Sequence, residues 1–494
     1  MKNKILSLFA ILWATTCYAQ DLPYCLPEDQ EISQAAVSAF FDSLMSQPQT
    51  RIHAAMVLKN GYVVGEIHPQ PFKPEYGHAL YSCSKTFTAI AVAMACEDGL
   101  LQYDSPVLPL LEKAFPHSVP ATVSDTLRRL TVTHLLEMSS GWKADWGLRS
   151  RSENWLPEYL NRHFDFEPGS QFEYDSMVSY ILSAVVQAAT GRQLYDYLQD
   201  RLFGPLGIEA AWEQSPEGIS CGGWGLYMNA ASMAKVGQML LQNGVYDNRR
   251  YLSEASVRKL ATCRRTDTWG DCYGMHTWIF SEHPDAYRAD GAYGQFVIVL
   301  PSQNMVVVLT QCSTGDLDRE MELVWKVLLS QAISQKPVKS LAAWKKQLAK
   351  YTLPTVVGNS NGVNHLCHRQ WTLSDNLLGW KNLKLEHRPN IVRLIVTDMN
   401  GVTGTIDMSY NRWKTSSSQL KPLNARPFKG SFSNIPGPFV TAGSYAWQNE
   451  NLCARVYFTN WFTAVDIVFR PMPHGMTMYL LPCYESEWIE VTAK

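Results

Sequence analysis

Ser82-Cys83-Ser84-Lys85 is the stretch of this chain whose residue types and spacing could do chemistry. A serine hydroxyl is a weak nucleophile until a base takes its proton. A lysine three residues on shares its helix face, and it can serve as that base once burial lowers its pKa. The residues that follow, Thr86 to Ala95, are small and apolar until Glu97-Asp98-Gly99, where Gly99 is a natural stop. A helix apolar nearly all round belongs in a core, so this one carries Lys85 inward. Its first turn would also present Ser82 to unpaired backbone N–H groups and the positive end of the helix dipole. The plainer reading makes Ser82 an N-cap and Lys85 a snorkelling surface residue. The pair cannot decide between the two without the rest of the chain.

The elements around it give it a setting. Residues 29–47 place Ile32, Ala35, Ala36, Ala39, Phe40 and Leu44 at helical spacing. Two β-rich runs, Ile52–Leu58 and Tyr62–Ile67, are joined through Asn60-Gly61, the strongest short hairpin signal. Leu130–Gly141 reads as a capped helix, and a loop with Trp142, Trp146 and Trp155 follows. Phe166–Ser176, containing Pro168-Gly169 and Tyr174, is a turn leading into a helix from about Met177 to Thr190 that stops at Gly191. A second hairpin joins Ala286–Leu300 to Met305–Thr310, and Arg319–Ile333 is an amphipathic helix. The order helix, hairpin, helical insert, hairpin, helix describes an α/β (α+β) domain whose antiparallel sheet is covered by helices on both faces. After residues 337–352, a linker with a short helix, short strands separated by turns run from 353 to 494. These predict a small all-β barrel or sandwich.

Across its 494 residues the chain carries a net charge of −2. Residues 20–336 are acidic and residues 337–494 basic, which supports two domains of different character. No motif points to nucleic acid, and no stretch beyond the N-terminus is apolar and long enough to span a bilayer. Lys2 and Lys4, the apolar run Ile5–Trp13 and Cys17-Tyr18-Ala19 read as an export signal over residues 1–19. The expectation is therefore a periplasmic-type protein, with lipid anchoring at Cys17 the lesser alternative. Of its eleven cysteines, Cys83 and Cys96 fall on the buried helix as packed thiols. Cys263 and Cys272 flank a short turn-rich segment and could bridge locally. His365-Leu366-Cys367-His368 has metal-type residues but no further ligand at a zinc spacing, so no metal or cofactor is expected.

Taken together, Ser82-Cys83-Ser84-Lys85, His134-Leu135-Leu136 with Ser139-Ser140-Gly141, Pro168-Gly169 with Tyr174, and Gly291 with Gly294-Gln295 occur in the order of a known family. Over roughly residues 30–335 the chain resembles the serine β-lactamase-like hydrolases, in the branch that holds class C β-lactamases, DD-peptidases, esterases and 6-aminohexanoate-oligomer hydrolases. The resemblance implies the β-lactamase/transpeptidase-like fold over residues 20–336. It implies that Ser82 is the acylated nucleophile, Lys85 its base partner and Tyr174 a proton shuttle. An adjacent Lys85 ammonium would favour the Tyr174 phenolate, leaving open which of the two is the base. The backbone N–H groups of Ser82 and Ala292 would form an oxyanion hole, with Gly291 allowing close approach of substrate to the strand edge.

The chain departs from the family in two places. The family's Tyr-x-Asn reads Tyr174-Asp175-Ser176, so a short hydroxyl, Ser176, replaces an amide. Its cationic or imidazole strand residue reads Ala289, followed by Asp290, with Arg288 expected to face away by strand alternation. Losing that cation argues against a dedicated β-lactamase or DD-peptidase. An exported hydrolase of a small-molecule ester or amide fits better, with Trp142 and Trp146 as possible walls of its site. An acyltransferase using an alcohol or amine in place of water is the near alternative. A non-catalytic binding or sensing protein on the same fold is the distant one.

Overall fold

Asn60 and Gly61 both take positive φ, +52° and +84°, the two left-handed residues that a strand-matching hairpin turn requires. They join Ile52–Lys59 to Tyr62–Ile67 as the sequence predicts. From this hairpin the main sheet grows. The computed structural model describes residues 21–494 except 269, 331–336, 363–365, 424–428, 430, 433–434 and 436–437. The expected export signal (residues 1–19) and His365 therefore lie outside the described residues.

Eight strands form one antiparallel sheet, and its order is not the chain order. Ile52–Lys59 pairs on one side with Tyr62–Ile67 and on the other with Met305–Gln311. Gln295–Leu300 and Tyr287–Gly291 follow in turn. Alternation sorts the side chains by face. Met56, Leu58, Val297, Val299, Val306 and Val308 pack in one core with residues of the Ser84–Glu97, Ser176–Thr190 and Ala230–Leu241 helices. Ala55, Val57, Phe296, Ile298, Val307 and Leu309 pack on the opposite face. Their partners there are Val37, Phe40, Phe41 and Leu44 of the Gln34–Met45 helix, with Trp344 and Leu348. The helix Leu341–Leu348 is docked on the sheet, because Trp344 Nε1 donates to the Val64 carbonyl at 2.8 Å.

The helix ends follow their capping residues. Ser33 Oγ accepts from Ala36 N at 3.0 Å at the start of Gln34–Met45. Asp175 Oδ1 accepts from Met177 N at 2.8 Å at the start of Ser176–Thr190, and Gly191 ends that helix at φ +70°. The helix expected from Arg319 is α-helical over Leu317–Leu323 and widens into a π-helical turn over Val324–Leu328.

Among the described residues ten strands build the C-terminal sheet. Thr403–Tyr410 and Phe439–Gln448 pair in parallel, and the other strand pairs are antiparallel. The last residue closes the circle: Thr372 N donates to Lys494 O at 2.8 Å, and Lys494 N to Thr372 O at 3.0 Å. The architecture is a nearly closed barrel rather than a sandwich. Its core takes in Phe72, Ala79, Ala211, Tyr227 and Cys312 from the first part of the chain, so the two parts share buried surface. Cys263 and Cys272 form the local bridge that their spacing allows. A second bridge, Cys312–Cys483, ties the end of the main sheet to the barrel. Cys83 is fully buried, whereas Cys96 is only half-buried. Among the described residues no helix is long and apolar enough to cross a membrane.

Candidate active site

Ser82 stands in a 3-10 turn, Tyr81–Cys83, that runs directly into the Ser84–Glu97 helix. Ser84 braces the junction, donating to the Tyr81 carbonyl at 2.6 Å and accepting from Leu226 N at 3.0 Å. One helical turn on, Lys85 is 2% exposed. Its Nζ donates to Ser82 Oγ at 2.9 Å, to Ser176 Oγ at 3.0 Å and to the Gly223 carbonyl at 2.7 Å. Three partners fix the nitrogen in position; in the neutral amine two N–H groups serve Ser176 and Gly223, and the lone pair faces the Ser82 hydroxyl. Burial holds its pKa well below the ordinary lysine value, and the nearby Arg149 guanidinium pushes it the same way; the Asp175 and Asp290 carboxylates oppose them.

Tyr174 stands beside Ser82 in the wall of the same cavity. Its ring lies 4.7 Å from Lys85 Nζ and stacks on Trp278, with centroids 5.8 Å apart and planes at 29°. Burial raises the phenol pKa, and the neighbouring Ser82 hydroxyl only partly offsets this. Desolvation thus drives both groups toward neutrality: an uncharged amine and an uncharged phenol. That reverses the expectation that the ammonium would pull the phenol down. The next two residues are set by the helix start. Asp175, held by the Tyr159 hydroxyl, caps the Ser176–Thr190 helix and so turns Ser176 Oγ toward Lys85.

On the far side, Gly291 ends the strand Tyr287–Gly291 against the Ser82 turn. A β-carbon there would come 2.3 Å from the Leu80 carbonyl and 3.2 Å from Cys83 N. Glycine therefore serves the packing of strand against turn. Ala292 follows at the cavity wall. Its carbonyl accepts from Gln295 Nε2 at 3.1 Å, and the same nitrogen donates to Gln311 O at 2.8 Å. Gln311 in turn donates to Glu320 at 2.6 Å, so a buried polar chain fixes the turn that carries Ala292.

Ser82, Tyr174, Ser176, Asp290, Ala292 and Trp146 line one cavity of about 370 Å³. Of the residues expected to bind substrate, Trp142 and Ala289 do not. Trp142 is fully buried and stacks on Phe164 with centroids 4.4 Å apart, a packing role. Ala289, 6% exposed, points into the core. The strand alternates as expected but in the opposite phase. Arg288 and Asp290 are the pair that reach the cavity, joined Nε to Oδ2 at 2.9 Å, so Arg288 does not face away. Sequence reasoning passed over Trp224, Trp278, Arg149 and Gly223. Arg149 lies over the Trp224 ring at 4.3 Å and lines the cavity. Gly222-Gly223 was legible as a doublet. A β-carbon at Gly223 would meet the Ser176 carbonyl at 2.2 Å, and one at Gly222 would meet Ser183 Oγ at 2.2 Å. Only a glycine pair lets this loop bring a carbonyl to Lys85.

A sheet flanked by helices, with this cluster where strand meets helix, defines a β-lactamase-like class, and comparison with known proteins places the chain in it. Residues 37–329 match the Beta-lactamase family model, and the chain belongs to that family. It is 26% identical to penicillin-binding protein 4 of Amycolatopsis lactamdurans over 278 residues, 46% of this chain and 70% of that protein. It is 22% identical to 6-aminohexanoate-dimer hydrolase of Paenarthrobacter ureafaciens over 289 residues, 53% of this chain and 72% of that protein. A penicillin-binding protein homologue of Caulobacter crescentus shares the fold, with TM-score 0.51 and 16% identity, covering 59% of this chain and 95% of its own.

Proposed function

We propose that the protein is a serine hydrolase that cleaves a small-molecule ester or amide through an acyl-enzyme on Ser82, in an exported, periplasmic-type location. The observation that carries this reading is the buried Lys85 amine, 2.9 Å from Ser82 Oγ and shifted toward its neutral form. Neutral Lys85 takes the Ser82 proton as Oγ bonds to the substrate carbonyl carbon. The carbonyl electrons move to oxygen, which the Ser82 and Ala292 N–H groups receive. The Tyr174 phenol gives its proton to the departing alcohol or amine and regains one from Lys85. Water then repeats the sequence against the acyl ester, releasing the acid and Ser82.

The cavity supports a neutral substrate. Arg288 is committed to Asp290, and Trp146, Trp224 and Trp278 supply flat apolar walls. The strand position where penicillin recognition needs a cation carries Ala289, which points into the core, and this argues against a β-lactamase specialised for that task. The same walls would accept an alcohol or amine in place of water, so product analysis with and without added butanol separates hydrolysis from acyl transfer.

The test is covalent labelling by a fluorophosphonate. The parent protein is expected to label and Ser82→Ala is not; equal labelling of both removes Ser82 from the mechanism. Turnover of a short-chain nitrophenyl ester without efficient turnover of nitrocefin fits the proposed selectivity. Fast nitrocefin hydrolysis would contradict it.

A further inference from the structure

Ser82 and Ala292, whose N–H groups form the proposed oxyanion hole, each neighbour a tyrosine with left-handed backbone. Tyr81 has φ +48° and Tyr293 has φ +66°. A bulky residue keeps that conformation only where its surroundings over-determine it. Here the barrel supplies part of those surroundings, beside the Ser84 and Gln295 bonds. Phe462 lies in the turn between the strands Asn451–Phe458 and Ala464–Met472 and is fully buried. Its ring meets Tyr81 edge-on, centroids 4.9 Å apart and planes at 89°. It stacks on Tyr293 at 5.7 Å and 17°. The two tyrosines meet each other at 5.3 Å and 74°. These are the offset and edge-to-face arrangements that aromatic quadrupoles favour.

The turn that presents Phe462 is itself anchored to the first part of the chain. The Asn460 carbonyl accepts from the Tyr227 hydroxyl at 2.9 Å, and Trp461 stacks on the Tyr227 ring at 5.9 Å. Cys312 is bonded to Cys483, and beside that bridge Ser313 N donates to the Tyr293 carbonyl at 3.0 Å. Tyr484, next to Cys483, lies 6.1 Å from Tyr293. One ring from the barrel therefore wedges both residues that flank the two N–H donors.

We propose that Phe462 is a positioning residue of the hydrolase: through it, the docked barrel sets the separation and aim of the Ser82 and Ala292 N–H groups. The inference rests on the acyl-enzyme reading. An oxyanion hole works only when its donors sit about 2.7–3.1 Å from the developing charge, and a misplacement of about 1 Å costs on the order of a hundredfold in rate. The barrel is then part of the catalytic apparatus without touching substrate.

The experiment uses the full chain and a nitrophenyl ester, with an alkyl boronic acid as the tetrahedral mimic. Phe462→Ala is expected to lower kcat about 30- to 100-fold with KM within about threefold, and to weaken the boronate in proportion to kcat/KM. Phe462→Leu, which refills most of the volume, is expected to recover at least about tenfold of that loss. A folded Phe462→Ala protein whose kcat and boronate affinity stay within about twofold of the parent overturns the inference. If the alanine variant is recovered only as aggregate, the leucine variant decides. A kcat lowered about three- to tenfold at unchanged KM supports the proposal, and an unchanged kcat overturns it. Fluorophosphonate labelling keeps the two readings apart. An unlabelled parent sinks the acyl-enzyme reading, whereas a labelled parent with indifferent Phe462 variants sinks this inference only.

Discussion

Replacing Lys85 by methionine keeps most of the side-chain volume and removes the amine that reaches Ser82, Ser176 and Gly223. Acylation by the nitrophenyl ester is expected to fall about a thousandfold, the scale of a lost general base. The pH dependence carries a sign. The folded pKa of Lys85 lies below its ordinary 10.5, so the active neutral form fills as pH rises through that lowered value. The kcat/KM profile should rise and then level off well before 10.5. A profile still climbing at that pH would refute a buried neutral base. Stability follows by linkage: between the lowered value and 10.5 the unfolded chain binds more protons, so stability rises with pH across that window. The methionine variant should lose this slope in urea titrations. Tyr174→Phe keeps the stack on Trp278 and should lower kcat about a hundredfold with little change in KM. Ser82, Lys85 and Tyr174 were legible because motif order and helix spacing survive in one dimension. Trp142 and Arg288 were not, because which way a loop tryptophan packs and which phase a strand adopts depend on neighbours distant in sequence.

Two glycines set how closely the elements of the site approach. Gly223→Ala would drive a β-carbon to 2.2 Å from the Ser176 carbonyl, backbone that cannot swing aside as a side chain can. The loop must retreat and take its carbonyl away from Lys85. The expected result is a loss of about 1–3 kcal/mol, read from the urea midpoint, together with lower kcat. Gly291→Ala meets the Leu80 carbonyl at 2.3 Å and should act alike; variants as stable and active as the parent would show these approaches to be dispensable. At this scale the hairpin at Asn60-Gly61 and the helix ending at Gly191 could be read locally, since a turn residue and a cap act within a few positions. The docked helix Leu341–Leu348 was visible only as a short helix. Its attachment comes from the burial of Trp344 and Leu348 on the sheet and the Trp344 bond to Val64, which periodicity does not encode.

Across the whole molecule the Cys312–Cys483 bridge spans 171 residues and joins parts that already share a core. Removing it by the paired change Cys312→Ser and Cys483→Ser is expected to cost about 2–5 kcal/mol. A thermal midpoint that does not move would show that packing between the parts suffices. The strong charge difference between the two parts pointed to two units, but spacing could not pair these cysteines, because the pairing follows from how the barrel docks.

The Ser82 turn and the strand it faces also differ in when they are made. Cys83 Sγ donates to the Gln295 carbonyl across 212 residues of chain. At roughly 5–20 residues per second of synthesis, the strand reaches the serine about 10–40 s after it. Until then the Ser84–Glu97 helix has only the first hairpin and the Ser176–Thr190 helix to pack against. The growing polypeptide therefore holds Ser82 and Lys85 on their turn and helix before the strand that completes the site is made. Its candidate catalytic centre comes into being only late in the birth of each molecule.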